Sequence, residues 1–299
     1  MQHKARWLRC GDTQSSRCWE KCSPQLTLTE RGLLGDRAYA LVDSADGKAA
    51  TAKNPKKWPT LFCFRATFIE PPRPDTSVPP VRITLPDGTT VTSQQADLNQ
   101  VLSKSLNRTV QLEAAGGGHA GTMNAEEYWP DMEGLDFRDT VTDFTLPGGT
   151  FFDCATVHLL TTATLDRLHQ LYSQGRFAVP RFRPNIVVTL ASGEQDFVEN
   201  AWIGHTLAIG DSVRLSITGP CGRCVMTTLP QGDLPPDPGI LRTAAKYNKV
   251  NVGIYARVER GGSIRRGDAV RVEEARRAHD SVVAIDFSPD RNSRSDAIG

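Results

Sequence analysis

Thr206-Leu-Ala-Ile-Gly-Asp-Ser-Val-Arg-Leu-Ser-Ile-Thr-Gly-Pro-Cys-Gly-Arg-Cys-Val-Met-Thr-Thr228 is the stretch that decides the fold class. Three short β-branched or alternating runs, Thr206–Ile209, Ser212–Thr218 and Cys224–Thr228, are separated by Gly, Asp and Pro, the punctuation of closely spaced strands. Outward from it, Asn185–Leu190 and Gly253–Glu259 have the same texture. Helical spacing is confined to Thr164–Tyr172, with Leu165, Leu168, Leu171 and Tyr172 on one side and Gly175 placed to end it, and to Ile240–Tyr247. Many short strands with few helices predict a mainly β, α+β fold with a closed or strongly curved sheet, not an alternating βα sheet.

Further toward the N-terminus, Arg37–Asp43 reads as a strand followed by a turn at Ser44-Ala-Asp-Gly47. Leu61–Phe68, Val81–Leu85 and Val110–Leu112 read as strands, with a turn at Pro86-Asp-Gly88. Ser93 is placed to cap a helix carrying Leu98, Val101, Leu102 and Leu106. The Gly-rich segment Ala114–Gly121 is the predicted domain boundary, and the acidic segment Glu126–Asp139 follows it. Residues 1–25 show no period that would bury a face, and the charge-rich tail past Val272 is expected to be disordered.

The chain has 299 residues, with 35 Lys+Arg against 34 Asp+Glu and a net charge of +1. That length suits two domains of roughly 150 residues. The charge balance gives no global electrostatic argument for nucleic acid or anionic membrane. No run of about 18 apolar residues occurs, and the polar start MQHKARWLRCGD lacks the apolar core of a signal peptide. A soluble, cytoplasmic protein with no nucleic-acid or membrane partner is the expectation.

Seven cysteines, Cys10, Cys18, Cys22, Cys63, Cys154, Cys221 and Cys224, are scattered and odd in number, unlike a secreted disulfide framework. The pair in Gly219-Pro-Cys-Gly-Arg-Cys224 leaves several chemistries open. A thioredoxin-type pair needs a following helix, whereas VMTTLPQGDLPPDP is β-like and then Pro-rich. A structural zinc site needs two more ligands, for which Cys18 and Cys22 are the other close pair. A single thiolate on a softer metal centre, its ionisation favoured by Arg223, is the third. Packing as buried thiols is the fourth. Arg181-Phe-Arg-Pro-Asn185 could fork guanidinium onto phosphate and offer an amide to a heterocycle edge, or be a solvated loop. Gly32-Leu-Leu-Gly-Asp-Arg37 delivers Asp36 and Arg37 to a strand start, as a site or as a surface pair.

Taken in order, GLLGDRAYALVD, VHLLTTATLDRL (157–168), RFRPNIVV, WIGHTLAIGD (202–211), GPCGRCVMTT and GSIRRGDAV (262–270) resemble the MOSC-domain family, the molybdenum-cofactor-sulfurase C-terminal domain, from about Leu26 to Val272. Within it the chain is similar to the amidoxime-reducing branch. The resemblance implies a smaller β-barrel-like N-terminal domain at 26–115, a MOSC β-barrel domain at 116–272, an atypical leader at 1–25 and a disordered tail at 273–299. It implies molybdopterin with molybdenum as cofactor and Cys224 as the protein ligand to the metal and the catalytic residue. By the same resemblance Arg183 and Asn185 hold the cofactor's phosphate and pterin edge, Arg37 adds a contact from the N-terminal domain, and Arg223 lines the turn at the thiolate. Thr161 and Thr162 fall in the family's polar loop near the cofactor. Pyridoxal phosphate binding attaches only to the family as a whole.

The implied activity is reduction of a small N-hydroxylated or N-oxygenated substrate. Electrons come from a separate donor such as a ferredoxin, a haem protein or a flavin reductase, since no cysteine follows Cys224 to hold an appended iron–sulfur cluster. Two alternatives stand beside it: a sulfur-carrier or cofactor-delivery module with a persulfide on Cys224, and a cofactor-free binding protein. His158 and His205 are expected to be structural or surface residues. The start MQHKARWLRCGDTQSSRCWEKCSPQ lacks the YPVKS-like motif of the branch, so a mis-set start, or a missing strand and a weaker phosphate clamp, is expected there.

Overall fold

The computed structural model describes residues 25–116, 122–190 and 193–274, together with the backbone of 5–10. The leader positions 11–24 with Cys18 and Cys22, the Gly-rich positions 117–121 and the tail 275–299 lie outside these described residues.

In chain order the strands are β1 (Ala5–Cys10), β2 (Gln25–Thr29), β3 (Gly32–Leu33), β4 (Tyr39–Asp43), β5 (Arg65–Phe68), β6 (Val81–Thr84), β7 (Thr90–Thr92), β8 (Val110–Ala114), β9 (Met123–Trp129) and β10 (Thr140–Leu146). They continue with β11 (Val157–Thr161), β12 (Ile186–Leu190), β13 (Thr206–Ile209), β14 (Val213–Gly222), β15 (Asn251–Arg260), β16 (Gly262–Arg265) and β17 (Ala269–Glu273). The helices are α1 (Leu98–Leu106), α2 (Thr162–Leu171), α3 (Val179–Phe182) and α4 (Pro238–Asn248).

A mainly β fold with some helix results, as the strand pattern predicts. Six strands in the order β12-β11-β15-β14-β13-β17 form a nearly closed barrel. The backbone of β1 bridges the remaining gap, antiparallel to both β12 and β17. A strand at Ala5–Cys10 is a correction to the irregular leader expected there. Strand pairing needs only backbone N–H and C=O groups, so it leaves no hydrophobic period when neighbouring edges supply the partners.

Inside the barrel, Val157, Leu159, Ile186, Val188, Leu207, Ile209, Val213, Leu215, Ile217, Ile254 and Ala256 meet in one core. On the outside, Leu160 of β11 packs with Leu165 and Leu168 of α2 and Ile240 and Ala244 of α4. Both faces of β11 are therefore covered, which is why VHLLT is buried throughout. A separate core gathers Trp58, Phe64, Val81, Ile83, Val91, Leu98, Leu102 and Val110 from the first part of the chain. β2 pairs with β16, and Leu26 and Leu28 join the barrel core, so the two parts interlock.

Three local expectations are corrected. Cys224–Thr228 is not a strand: Val225–Thr228 is a tight helical turn. The Thr227 and Thr228 hydroxyls donate back to the carbonyls of Cys224 and Val225 at 3.0 and 2.7 Å, and this local bonding overrides their β-branching. Leu61–Cys63 likewise forms a short turn before β5. Ser93 does not cap α1, which begins after Asp97; its hydroxyl accepts from the Val81 N–H instead.

Two buried polar groups hold the elements under the barrel rim. The Arg181 guanidinium donates to the carbonyls of Arg176, Thr227 and Pro235 at 2.9, 3.1 and 2.8 Å. Arg181→Met strands those carbonyls and should cost about 3 kcal/mol or more in urea unfolding. Glu199 takes the Thr161 and Thr164 hydroxyls on one carboxyl oxygen at 2.6 Å each, while its other oxygen has no partner. Burial pushes this carboxyl up from its ordinary value. Its contribution is thus full below the unfolded-state value and lost as pH rises through the folded one. Glu199→Gln should gain stability relative to the wild type between pH 5 and pH 8, read from paired unfolding curves; a constant difference contradicts this.

Candidate functional site

β14 bends where its register against β15 slips, between Ile217 and Gly219 and again between Pro220 and Gly222. A proline is tolerated at such a bulge, and the bend re-aims the residues after it. Beyond it, the Arg223 guanidinium donates to the carbonyls of Val252 and Phe182 at 2.9 and 3.1 Å and to Nε2 of His158. His158 is buried, and burial together with Arg223 keeps its pKa well below the ordinary histidine value, so the imidazole stays neutral and accepts. Opposite, Gly253 adopts φ +83°, where a Cβ would meet His158 Nε2 and Leu159 O at 2.5 Å; only glycine lets β15 approach β11 this closely.

Cys224 follows this clamp, buried at the wall of a cleft of about 160 Å³. Arg37, Lys53, Asp153, Arg183, Asn185, Cys221 and Tyr255 also line it. Arg37 is not in a strand but in the left-handed region at φ 49°, just before β4. It pairs with Asp153 at 3.2 Å, and Lys53 reaches the same carboxylate at 2.9 Å. Burial opposes the charge on Asp153, but Arg37 and Lys53 outweigh it and hold the carboxyl well below the ordinary aspartate range. Arg183 caps α3 at φ 51° with its guanidinium 5.7 Å over the Phe62 ring. It makes no ion pair among the described residues, and burial followed by the charge of Arg37 brings it down to about 10.

Asn185 is held on both ends of its amide. Its oxygen accepts from the His158 N–H at 2.8 Å, and its nitrogen donates to Asp36 at 2.8 Å. Cys224, Arg37, Arg183, Asn185 and Arg223 therefore meet at one cleft, Arg223 with its guanidinium turned to backbone carbonyls. Thr161 and Thr162 are not among the cleft's lining residues. The Thr161 hydroxyl accepts from the Thr164 N–H and donates to Glu199, capping α2. Lys53, Asp153 and Tyr255 escape a sequence reading because they stand far apart in the chain, and isolated charged or phenolic residues give no local signal.

Burial pushes the Cys224 thiol up to about 12, Lys53 pulling against it and Glu127 adding to it. The free group is thus a neutral thiol near pH 7, and a soft metal binds it by displacing the proton. Among the described residues, no group of three or more His, Cys, Asp or Glu could hold a metal ion. A metal here would draw its other ligands from the group that carries it. One buried soft donor beside guanidiniums fits a metal carried by an anionic organic cofactor.

Residues 147–271 match the family model of the MOSC domain. The resemblance drawn from the motifs holds over that segment, and the MOSC domain family is associated with molybdenum-cofactor proteins. The MOSC segment supplies Asp153, Arg183, Asn185, Arg223 and Cys224, while Arg37 and Lys53 come from before it. A comparison with curated proteins gave no match. Among solved structures, the chain is similar to the YuaD protein from Bacillus subtilis, at 16% identity and TM-score 0.33, covering 42% of this chain and 68% of that one. It is also similar to YiiM from Geobacillus stearothermophilus, at 14% identity and TM-score 0.30, covering 40% of this chain and 55% of that one. No helix among the described residues is long and apolar enough to cross a membrane.

The thiol's burial makes a direct prediction. Iodoacetamide labelling of Cys224, followed by peptide mass spectrometry, should rise about tenfold per pH unit between pH 7 and 10, because only the thiolate reacts. Lys53→Met removes the cation that favours the thiolate and should slow labelling at every pH; an unchanged or faster rate would contradict the coupling.

Proposed function

We propose that the chain binds a molybdenum cofactor, molybdopterin with molybdenum, through Cys224, and that it is an oxidoreductase reducing N-hydroxylated or N-oxygenated small molecules. The observation that carries this reading is the meeting of a buried thiol with Arg37 and Arg183 in one cleft walled by the MOSC-matching segment. When bound, the cofactor supplies two-electron removal of oxygen from nitrogen.

The chain's own residues divide the remaining work. Cys224 provides the soft anchor. Arg183, without a carboxylate partner, and Arg37 are the phosphate-holding cations. Asn185, fixed between His158 and Asp36, offers its remaining amide capacity to a pterin edge. Arg223 holds the turn so that the thiol stays at the wall. The electron donor is a separate protein, a ferredoxin, haem protein or flavin reductase.

Metal and pterin content of the purified protein, with reduction of an N-hydroxyamidine by a reduced viologen dye, tests the assignment. Near-stoichiometric molybdenum and turnover are expected, and Cys224→Ala should drop both to about a tenth or less. Cyanide-labile sulfur without metal would point to the sulfur-carrier alternative. Retention of metal and activity in the alanine variant would overturn the role of Cys224.

A further inference from the structure

A second cavity of about 290 Å³ opens beside the cleft, on the side of the first part of the chain. Phe62, Arg65, Arg183 and Met226 line both spaces, as do Asp153 and its partners Arg37 and Lys53, so together they form the mouth between them. Met226 stands two residues beyond Cys224, which places the mouth next to the thiol. The inner wall is apolar, with Ala40, Ala49, Ala50 and Ala125 set among larger side chains such as Leu102 and Phe144. Protein interiors are ordinarily packed to the density of organic crystals. A void of this size has room for about ten water-sized groups at roughly 30 Å³ each. Alanines leave room at positions where a larger side chain would take up part of it. Its wall has few groups to bind ordered water, whereas its mouth carries the guanidiniums of Arg65 and Arg183, neither of which makes an ion pair among the described residues.

We infer that this cavity receives the apolar tail of the substrate, and that the substrate class is an N-hydroxylated amphiphile with an alkyl chain of about eight to ten carbons. The inference rests on the proposed reduction and names the substrate of that same site. The polar N-hydroxylated end remains in the cleft beside Cys224. The tail passes Met226 and the Phe62 ring into the apolar space. The mouth guanidiniums favour a polar or anionic group at the junction, so the chain enters tail first.

The test is binding of the n-alkyl hydroxamic acid series, from two to twelve carbons, to the purified protein by isothermal titration calorimetry, with viologen-driven turnover measured in parallel. Affinity should rise about three- to fourfold per added methylene and level off near ten carbons. Ala40→Leu and, separately, Ala50→Leu should each weaken the eight-carbon compound at least tenfold while leaving the two-carbon compound within about twofold. Two variants guard against one failing to fold, and the wild-type series needs neither. A wild-type affinity that changes less than twofold from two to eight carbons overturns the inference. So does a wild-type slope retained in both folded variants. If the slope is present and no hydroxamate is reduced, the cavity assignment stands and the proposed reduction fails. If short hydroxamates are reduced and the slope is flat, the reduction stands and the cavity assignment fails.

Discussion

The rest of the site depends on the guanidinium of Arg223. It ties the turn after β14 to the Val252 carbonyl at the start of β15, to the Phe182 carbonyl at the end of α3 and to the neutral His158 on β11. Three segments that converge at one end of the barrel are thereby held against one planar, charged group. Its donors match their acceptors in a fork, so the geometry is defined and not merely compact. Cys224 is the next residue, and Arg183 follows Phe182, so the clamp places the thiol and the unpaired guanidinium on the same wall.

The cost of that arrangement is charge held in a poorly solvated space, and it is offset locally. Asp153 takes both Arg37 and Lys53, and Glu127 lies 3.8 Å from Lys53, which offsets those two cations and leaves Arg183 without an ion pair among the described residues. The thiol stays protonated because burial outweighs the pull of Lys53. The cleft therefore keeps positive charge at Arg183 beside its carboxylates, and its soft donor would ionise on exchange of a proton for a metal. The apolar cavity behind Phe62 and Met226 adds a space of opposite character against the same wall. A polar cleft joined to an apolar recess suits a ligand that is itself polar at one end.

How much of this could be read along the chain varies with the origin of each signal. Thr206–Ile209 matches β13 residue for residue, because a short apolar run closed by Gly210 and Asp211 marks a buried strand locally. β1 left no such trace, since its pairing is supplied by the backbones of β12 and β17. The threonines after Cys224 read as β-branched, but their hydroxyls close a turn instead. Arg37, Arg183, Asn185, Arg223 and Cys224 were visible because each sits in a compact motif. Thr161 belonged to a motif too, yet its hydroxyl serves the N-terminus of α2 and the Glu199 carboxyl.

By itself, the order of residues determined the β-rich class, most of the strand positions and the short motifs around Arg37, Arg183 and Cys224, because those features depend on neighbours within a few positions. Only the tertiary structure decided that Lys53 and Asp153 share the cleft with Cys224, that Asn185 is locked between His158 and Asp36, and that alanines from several strands and loops leave an open recess. Those outcomes rest on contacts between residues tens to more than a hundred positions apart. Ionisation, hydrogen-bond capacity and empty volume are properties of such neighbourhoods and belong to no single stretch of chain.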